Sequence, residues 1–402
     1  MPIASIECAW IRTPLPKLLS RAHETTDSSV DIVCRVRTDD GIEGIGTAVG
    51  KNPDRVCFIV DQALTPLLIG EHEEPIERIW DRLRLSLLGP DVLRPAQWSR
   101  RAILAAIGLI DQALWDIRAK RVGVPMYQVL GGTRRPIKAY LSDMFFQNGT
   151  PIEEMFDCAE KTIDQHGYRA IKVRIGRGVE DSVDRVRRTR ERFGDSFGIA
   201  ADANQTWELT TALRVAEALE PYNLLWLEEP IRPHAGVYRP HGGHDANGDT
   251  GVLANQTSVP IALGENHVSL SECTDLVERA AIGYMQFDAT LNGGVTEWLR
   301  VANLCQRFGI RMAPHSAPHI HAHLVSTVPH GDWIESYECE RKKPAWPYLF
   351  DGFPTVVNGA ITPSDGPGWG FSINEDFLAK HGTLTSWHIE SRPAAINSPV
   401  FR

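Results

Sequence analysis

Short apolar runs of strand length recur along most of this chain. Each ends in a polar break and gives way to a longer segment with helical spacing. The runs lie at Ala139–Met144, Ala170–Ile175, Gly198–Asp202, Leu224–Glu228, Pro260–Gly264, Tyr284–Phe287, Arg311–Pro314 and Trp333–Ser336. Between them, apolar residues three and four apart predict helices at Ile152–Gln165, Val179–Arg192, Glu208–Leu219 and Val295–Phe308. Strands alternating with helices predict parallel pairing through right-handed crossovers. Eight such strands predict a (β/α)7β TIM-type barrel, the last helix missing because SYECERKKPAWPYLFDGFP reads as loop. A doubly wound open sheet is the structural alternative.

The first part of the chain has a different rhythm. Ser5–Arg12 and Val30–Arg37 read as strands, and Asp39-Asp40-Gly41 signals a hairpin turn into a third strand at Ile42–Thr47. Helical patterns follow at Arg55–Leu68, Pro75–Leu88 and Ala102–Lys120. This predicts an N-terminal α+β capping domain over residues 1–125, a barrel over 126–354, and a tail, 355–402, that returns to the capping domain. The segment TPLPKLLSRAHETTDSS between the first two strands is polar and too long for a tight turn, which makes residues 14–29 a candidate mobile lid. His23 within it is a candidate substrate contact; an exposed loop histidine is the plainer reading.

Bulk properties narrow the function. A chain of 402 residues accommodates a barrel plus a smaller domain. The net charge of −9, with no basic stripe, argues against a nucleic-acid partner. Arg188–Phe193, RTRERF, reads as the solvated face of a helix. No apolar run reaches the roughly 18 residues that span a bilayer. The N-terminus MPIASIECAW lacks a basic segment followed by an apolar one, so no signal peptide is evident. The seven cysteines are scattered and never form CxxC, a pattern that suits reduced thiols and a cytoplasmic location.

The candidate chemistry sits at strand ends. Asp202 closes FGIAADAN, Glu228 closes NLLWLEEP and Glu265 closes VPIALGEN, 26 and 37 residues apart. In a parallel barrel such residues converge at the C-terminal mouth. Three crowded carboxylates resist ionising unless a cation sits among them. All-oxygen ligation selects a hard ion, Mg²⁺ before Ca²⁺ or Mn²⁺. The plain alternative is three separate acids on a solvated rim. Lys172 and Arg174, in IKVRIG, share one strand face, here the barrel interior, where they need facing anions. Asp288 ends YMQFDA and His315 ends IRMAPHS, 27 residues later. A carboxylate that holds one imidazole nitrogen raises the ring pKa and leaves the other nitrogen free as a base. Glu335, at the end of the last strand, would hydrogen-bond a substrate oxygen if neighbouring acids raised its pKa.

Other clusters read as decoys. His319, His321 and His323 lack a cysteine or acid that would complete a zinc site, so they read as rim or helix residues, His319 being a minor substrate-contact candidate. Gly44-x-Gly46-x-x-x-Gly50 has the wrong spacing for a dinucleotide loop. The Gly-, His- and Asp-rich stretch between Glu228 and Glu265, including 231–258, is either an ordered flap or a surface insertion. Asn204, Arg232 and His234 are the substrate-contact candidates near the mouth.

Taken together, Asp-x-Asn after the third strand, WLEEP, GEN, the Asp…His pair and the K-x-[KR] strand resemble the enolase superfamily, specifically its mandelate racemase-like subgroup. The resemblance spans nearly the whole chain, GVPMYQVLGG included. It implies Mg²⁺ on Asp202, Glu228 and Glu265, abstraction of a proton α to a carboxylate, His315 with Asp288 as acid/base, and a homo-oligomer. It further implies Lys172 beside the substrate carboxylate and Glu335 hydrogen-bonded to the intermediate. The subgroup often carries a second lysine where this chain has Arg174, and arginine is a poor base. One-faced proton chemistry fits dehydration better than racemisation. The expectation is therefore a hydro-lyase acting on a small hydroxylated carboxylate, an acid sugar, to give a 2-keto-3-deoxy acid. A racemase, epimerase or cycloisomerase is the rival; a barrel metallohydrolase would need histidine ligands, and a non-catalytic metal-stabilised binding protein would not need the acid/base groups.

Overall fold

The computed structural model describes residues 1–384 except 23, 51, 93–94, 96–97, 233–244 and 339–343. The chain opens with three antiparallel strands, β1 (Ile3–Ser20), β2 (Thr25–Thr38) and β3 (Glu43–Val49). Helices α1 (Pro53–Ile59), α2 (Thr65–Leu68), α3 (Ile76–Leu88), α4 (Arg100–Val122) and α5 (Met126–Val129) follow. A π turn, Val60–Leu64, joins α1 to α2, so the predicted helix at 55–68 is one continuous helical stretch.

The 23-residue α4 is the spine of this layer. The Ser99 hydroxyl accepts from the Ala102 amide at its start, and Gly123, with φ +73°, closes it. Its buried face lies directly on β3. A Cβ at Gly46 would come 1.9 Å from the Leu109 carbonyl oxygen, and one at Gly44 2.0 Å from that of Ala113. The glycines thus permit strand and helix backbones to touch, which gives the G-x-G spacing a packing role. The opposite face of α4 meets the barrel.

The predicted lid takes another form. Residues 13–20 continue β1 and 25–29 begin β2, so the segment is the end of a long paired hairpin, with a register shift between Pro14 and Leu19. Its prolines disguised the strand. Among the described residues, pairing of β1 with the distant β15 (Gly382–Leu384) covers only Ala9–Ile11, so the stretch holding Pro14 and Pro16 has no ladder partner on that edge, where proline is tolerated.

The barrel strands are β4 (Ile137–Ser142), β5 (Ala170–Arg174), β6 (Gly198–Asp202), β7 (Trp226–Glu228), β8 (Ile261–Leu263), β9 (Tyr284–Met285), β10 (Arg311–Met312) and β11 (Trp333–Ser336). They pair in parallel in chain order, and β11 returns to β4. A parallel bridge between Met312 and Gly331 joins the remaining gap between β10 and β11. Helices α6 (Ile152–His166), α7 (Val179–Phe193), α8 (Leu209–Leu219), α9 (Ala246–Gln256), α10 (Leu270–Arg279), α11 (Gly294–Phe308) and α12 (Pro318–Val325) occupy the crossovers. The stretch expected as flap or insertion therefore contributes the crossover helix α9. On α7, Arg190 departs from the solvated reading: it is buried and donates to the Phe197 and Tyr222 carbonyls.

After β11 the expected loop contains a short helix, α13 (Trp346–Leu349), leading to β12 (Phe350–Asp351). Later, β13 (Ala360–Ile361) pairs with β4 and β14 (Ser372–Ile373) with β12, so the tail touches the barrel before β15 reaches β1. Among the described residues no helix is long and apolar enough to cross a membrane.

Candidate active site at the barrel mouth

Tyr140, Ala170, Ala200, Trp226, Ala262, Tyr284, Ala313 and Trp333 form a buried apolar layer inside the barrel. Large rings and alanines share this layer; the Trp226 ring lies 5.2 Å from Tyr140 and 4.9 Å from Tyr284. Side chains alternate along a strand, so the residue two positions on faces the same interior, one level higher. Those residues are Ser142, Lys172, Asp202, Glu228, Gly264, Gln286, His315 and Glu335. A polar, charged layer thus stands on an aromatic floor. In β8 the position falls on Gly264, whose φ is +134° and whose Cβ would lie 2.6 Å from the Met285 sulfur. That strand presents the next residue, Glu265, instead.

The buried charges neutralise one another. Lys172 Nζ donates to Glu228 Oε1 at 2.6 Å, pairs with Glu335 Oε1 at 2.7 Å, and lies 3.8 Å from Asp202 Oδ2. Arg174 pairs with Asp202 and donates to Ser142 Oγ at 3.2 Å. Glu228 Oε2 accepts from Trp226 Nε1 at 3.0 Å and from Gln286 Nε2 at 2.7 Å. Asn204, held at φ +47°, donates its backbone N–H to Asp202 Oδ1 at 2.8 Å and its side-chain amide to Oδ2 at 3.2 Å. The spacing of Asp202 and Asn204 is therefore a local turn that fixes the aspartate.

His315 is 13% exposed at its side chain, beside the fully buried Asp288. Its Nδ1 lies 2.9 Å from Asp288 Oδ2, while Nε2 faces Glu265 Oε2 at 3.3 Å. Asp288 Oδ1 accepts from the Thr290 amide and hydroxyl, both at 2.7 Å, so the carboxylate that orients the ring is itself anchored. Burial pushes the imidazole pKa down, but Glu265, Asp288 and Glu335 outweigh it and hold His315 above its ordinary value. Burial likewise raises Glu265, yet His315, Arg21 and further cations bring it down to about 2.

Glu335 departs from expectation. Burial favours its neutral form, but Lys172, then His315 and Arg174, hold its carboxyl well below the usual range. The neighbouring cations dominate over the neighbouring acids because Lys172 is in direct contact. An ionised Glu335 accepts hydrogen bonds, as its Oε2 does from the Ser316 amide at 2.8 Å.

As a divalent-metal cradle the acids fit by chemistry. Asp202 and Glu228 are direct neighbours across β6 and β7, and Glu265 follows β8. All three are buried oxygen donors, and among the described residues the nearby Asn204 Oδ1 and Glu229 Oε1 are buried without a hydrogen-bond partner. Such a set suits a hard cation. Among the described residues no three His, Cys, Asp or Glu side chains are already arranged around a metal-sized point, because Asp202 and Glu228 turn onto Arg174 and Lys172.

The other expected contacts divide. Arg232 is exposed, its guanidinium on the Thr206 carbonyl at 2.9 Å. His23 and His234 lie outside the described residues. The three histidines of α12 are not on a rim; all are buried in the fold. His321 Nδ1 donates to the Ser316 carbonyl at 2.8 Å and Nε2 accepts from the Ala289 amide at 3.1 Å. His323 bonds the Tyr127 amide and the Trp369 carbonyl, and burial lowers its pKa to about 4. His319 reaches Thr47 Oγ1 at 3.1 Å, with its ring centroid 5.1 Å from Trp346 and 5.4 Å from Phe350.

Four mouth residues escaped the sequence reading. Glu229, at φ +44°, is fully buried, and burial together with the charge of Glu265 raises it to about 8. Asn266 bridges Glu229 and Glu265, donating to each at 3.2 Å. Arg101 of α4 donates to Asn266 Oδ1 at 2.6 Å and to the Glu265 carbonyl at 2.9 Å. Arg21 comes from the hairpin tip. The Glu-Glu doublet of WLEEP and the asparagine of GEN were the hints to two of these.

Comparison with known proteins agrees with this geometry. Residues 154–377 match the family described as enolase C-terminal domain-like, and residues 6–131 the mandelate racemase / muconate lactonizing enzyme N-terminal domain. The L-talarate/galactarate dehydratase of Salmonella typhimurium is 29% identical over 94% of this chain and 88% of its own length. Its solved structure, liganded with Mg and L-lyxarohydroxamate, superposes with a TM-score of 0.82 over 95% of this chain and 93% of that one. The 3,6-anhydro-alpha-L-galactonate cycloisomerase of Streptomyces coelicolor is 28% identical over 92% of this chain and 96% of its own. A racemase from Streptomyces coelicolor, solved with bound magnesium, is 26% identical with a TM-score of 0.83, covering 95% of this chain and 100% of that one. The chain belongs to the enolase superfamily of enzymes, in its mandelate racemase/muconate lactonizing enzyme group.

Proposed function

We propose that this enzyme is a Mg²⁺-dependent acid-sugar dehydratase, a carbon–oxygen lyase that removes the proton α to a carboxylate and expels the β-hydroxyl to leave a 2-keto-3-deoxy acid. The observation that carries the reading is the asymmetry of the mouth. One side presents an imidazole anchored by a buried carboxylate; the other presents Lys172 and Arg174, both ion-paired to acids. Acid-sugar dehydratases among its relatives support the same reaction class.

Asp202, Glu228 and Glu265 would hold the metal. Bound there, Mg²⁺ supplies the positive charge that acidifies the carbon next to a carboxylate. His315 Nε2 takes the α proton, and the C–H electron pair becomes part of a C=C bond. Asp288 stabilises the imidazolium that results. As the β C–O bond breaks, His315 returns its proton to the departing oxygen, which leaves as water. The enol product then tautomerises to the 2-keto acid. Lys172 neutralises substrate carboxylate charge, and the ionised Glu335 accepts a hydrogen bond from a substrate hydroxyl.

A racemase, epimerase or cycloisomerase is the second reading, and the cycloisomerase and racemase relatives favour it. Racemisation needs a base on each face of the carbon, and Arg174 is a poor one. The test is a screen of Mg²⁺-loaded protein against aldonates and aldarates, with 2-keto acids read as semicarbazones. Dehydration predicts product on one or two acids, lost with EDTA and with His315→Asn. Racemisation without keto acid, abolished by Arg174→Met, would replace this reading with the second.

A further inference from the structure

The hairpin of β1 and β2 turns over the barrel mouth. At its tip the Arg21 amide donates to the Glu24 carbonyl at 2.8 Å. The tip is fastened on both sides of Arg21. Ser20 and Phe146 exchange backbone hydrogen bonds of 2.8 and 2.9 Å. Ala22 rests on Gly176, where an added Cβ would lie 2.7 Å from the Ala22 Cβ. Phe146 is clamped in turn, its ring centroid 3.9 Å from the Arg177 guanidinium and 4.4 Å from that of Arg185. The backbone of Arg21 is thus held above the ends of β4 and β5.

Its side chain is half-buried and has no hydrogen-bond or ion-pair partner among the described residues. Its charge reaches the mouth, where it opposes the burial that raises Tyr337. The other cations here already have protein partners, and the reading above gives Lys172 to the carboxylate at the reacting end. Lys172 is on Glu228 and Glu335, Arg174 on Asp202, and Arg101 on Asn266 and the Glu265 carbonyl. A half-buried guanidinium held at the mouth of a site for acids, with no acid paired to it among the described residues, calls for an anion from the substrate.

We propose that Arg21 binds a second carboxylate of the substrate, at the end remote from the reacting carbon, so that the enzyme selects dicarboxylic sugar acids over monocarboxylic ones. The inference rests on the acid-sugar reading above for its turnover arm. It is tested with hexarate and hexonate pairs of matched stereochemistry, for the Mg²⁺-loaded wild-type protein and for Arg21→Met, Arg21→Gln and Arg21→Lys. Calorimetric binding is measured on the same pairs in a His315→Asn background.

The expected result is a diacid preference in kcat/KM and in Kd of about 100-fold, the size of a buried charge-assisted contact. Arg21→Met and Arg21→Gln erase it, lowering the diacid far more than the monoacid, and Arg21→Lys restores part of it. Equal or better use of the monoacid overturns the inference. So does preference for a phosphorylated aldonate, or an equal loss on both acids in the two neutral variants. Arg21-dependent binding of the diacid without any keto-acid product would leave this inference standing and remove the dehydratase reading instead.

Discussion

Asp111 fastens the capping helix to the barrel, and its ionisation should loosen that joint. It lies on α4, 2% exposed, and accepts from the Thr296 amide at 3.0 Å and the Thr296 hydroxyl at 2.5 Å. Burial dominates over these bonds and raises its pKa from 3.8 to about 7. The folded state therefore favours the protonated acid. The stabilisation is complete below pH 3.8 and is lost as pH rises through 7. At pH 5 the native state still holds a proton that the unfolded chain has released, a difference worth about 2.7 kcal/mol from two units at ~1.36 kcal/mol each. At pH 8 both states are ionised and that term vanishes. Asp111→Asn carries no such titration. Urea unfolding of both proteins at pH 5 and pH 8 should show the wild type losing about 2.7 kcal/mol relative to the variant between the two. A gap that stays constant within about 0.5 kcal/mol would refute burial as the controlling effect at this joint.

His323 has the opposite sign. Its folded pKa of about 4 lies below 6.5, so the stability it contributes is present above pH 6.5 and fades as pH falls toward 4. His323→Gln should remove about 3 kcal/mol of acid sensitivity over that interval, read from urea midpoints at pH 4 and pH 7. Gly46→Ala should destabilise by about 3 kcal/mol or prevent folding, because its Cβ meets the α4 backbone; the same substitution at Gly41, open to solvent, tests strain without contact. His315→Asn should lower kcat by 10²-fold or more while Mg²⁺ affinity, measured by calorimetry, changes far less.

The site was readable because a barrel strand obeys a period of two. Once Trp226 and Glu228, or Ala170, Lys172 and Arg174, are placed on one strand, their shared inward face follows without further information. Residues brought in by backbone conformation left no such trace: Glu229 enters through a positive φ and Arg21 arrives on a hairpin whose prolines hid it. Glu265 was legible only as the acid that follows a strand, since Gly264 takes the regular inward position. Burial was the other missing quantity. The α12 histidines look like surface residues in a list of letters, yet each ring sits within packed backbone or aromatic side chains. Glu335 shows the same difficulty in electrostatic form: acids and cations were both known to be near, and only the 2.7 Å contact with Lys172 decides which sets its charge.

The most direct test of the central claim is proton NMR of the Mg²⁺-loaded protein turning over an acid-sugar panel in D₂O. The account predicts a 2-keto-3-deoxy product carrying one solvent deuterium at C3, with no epimer of the starting acid. Loss of the α-proton signal with an epimer accumulating and no keto acid would contradict it, and would place a working base on the Arg174 face.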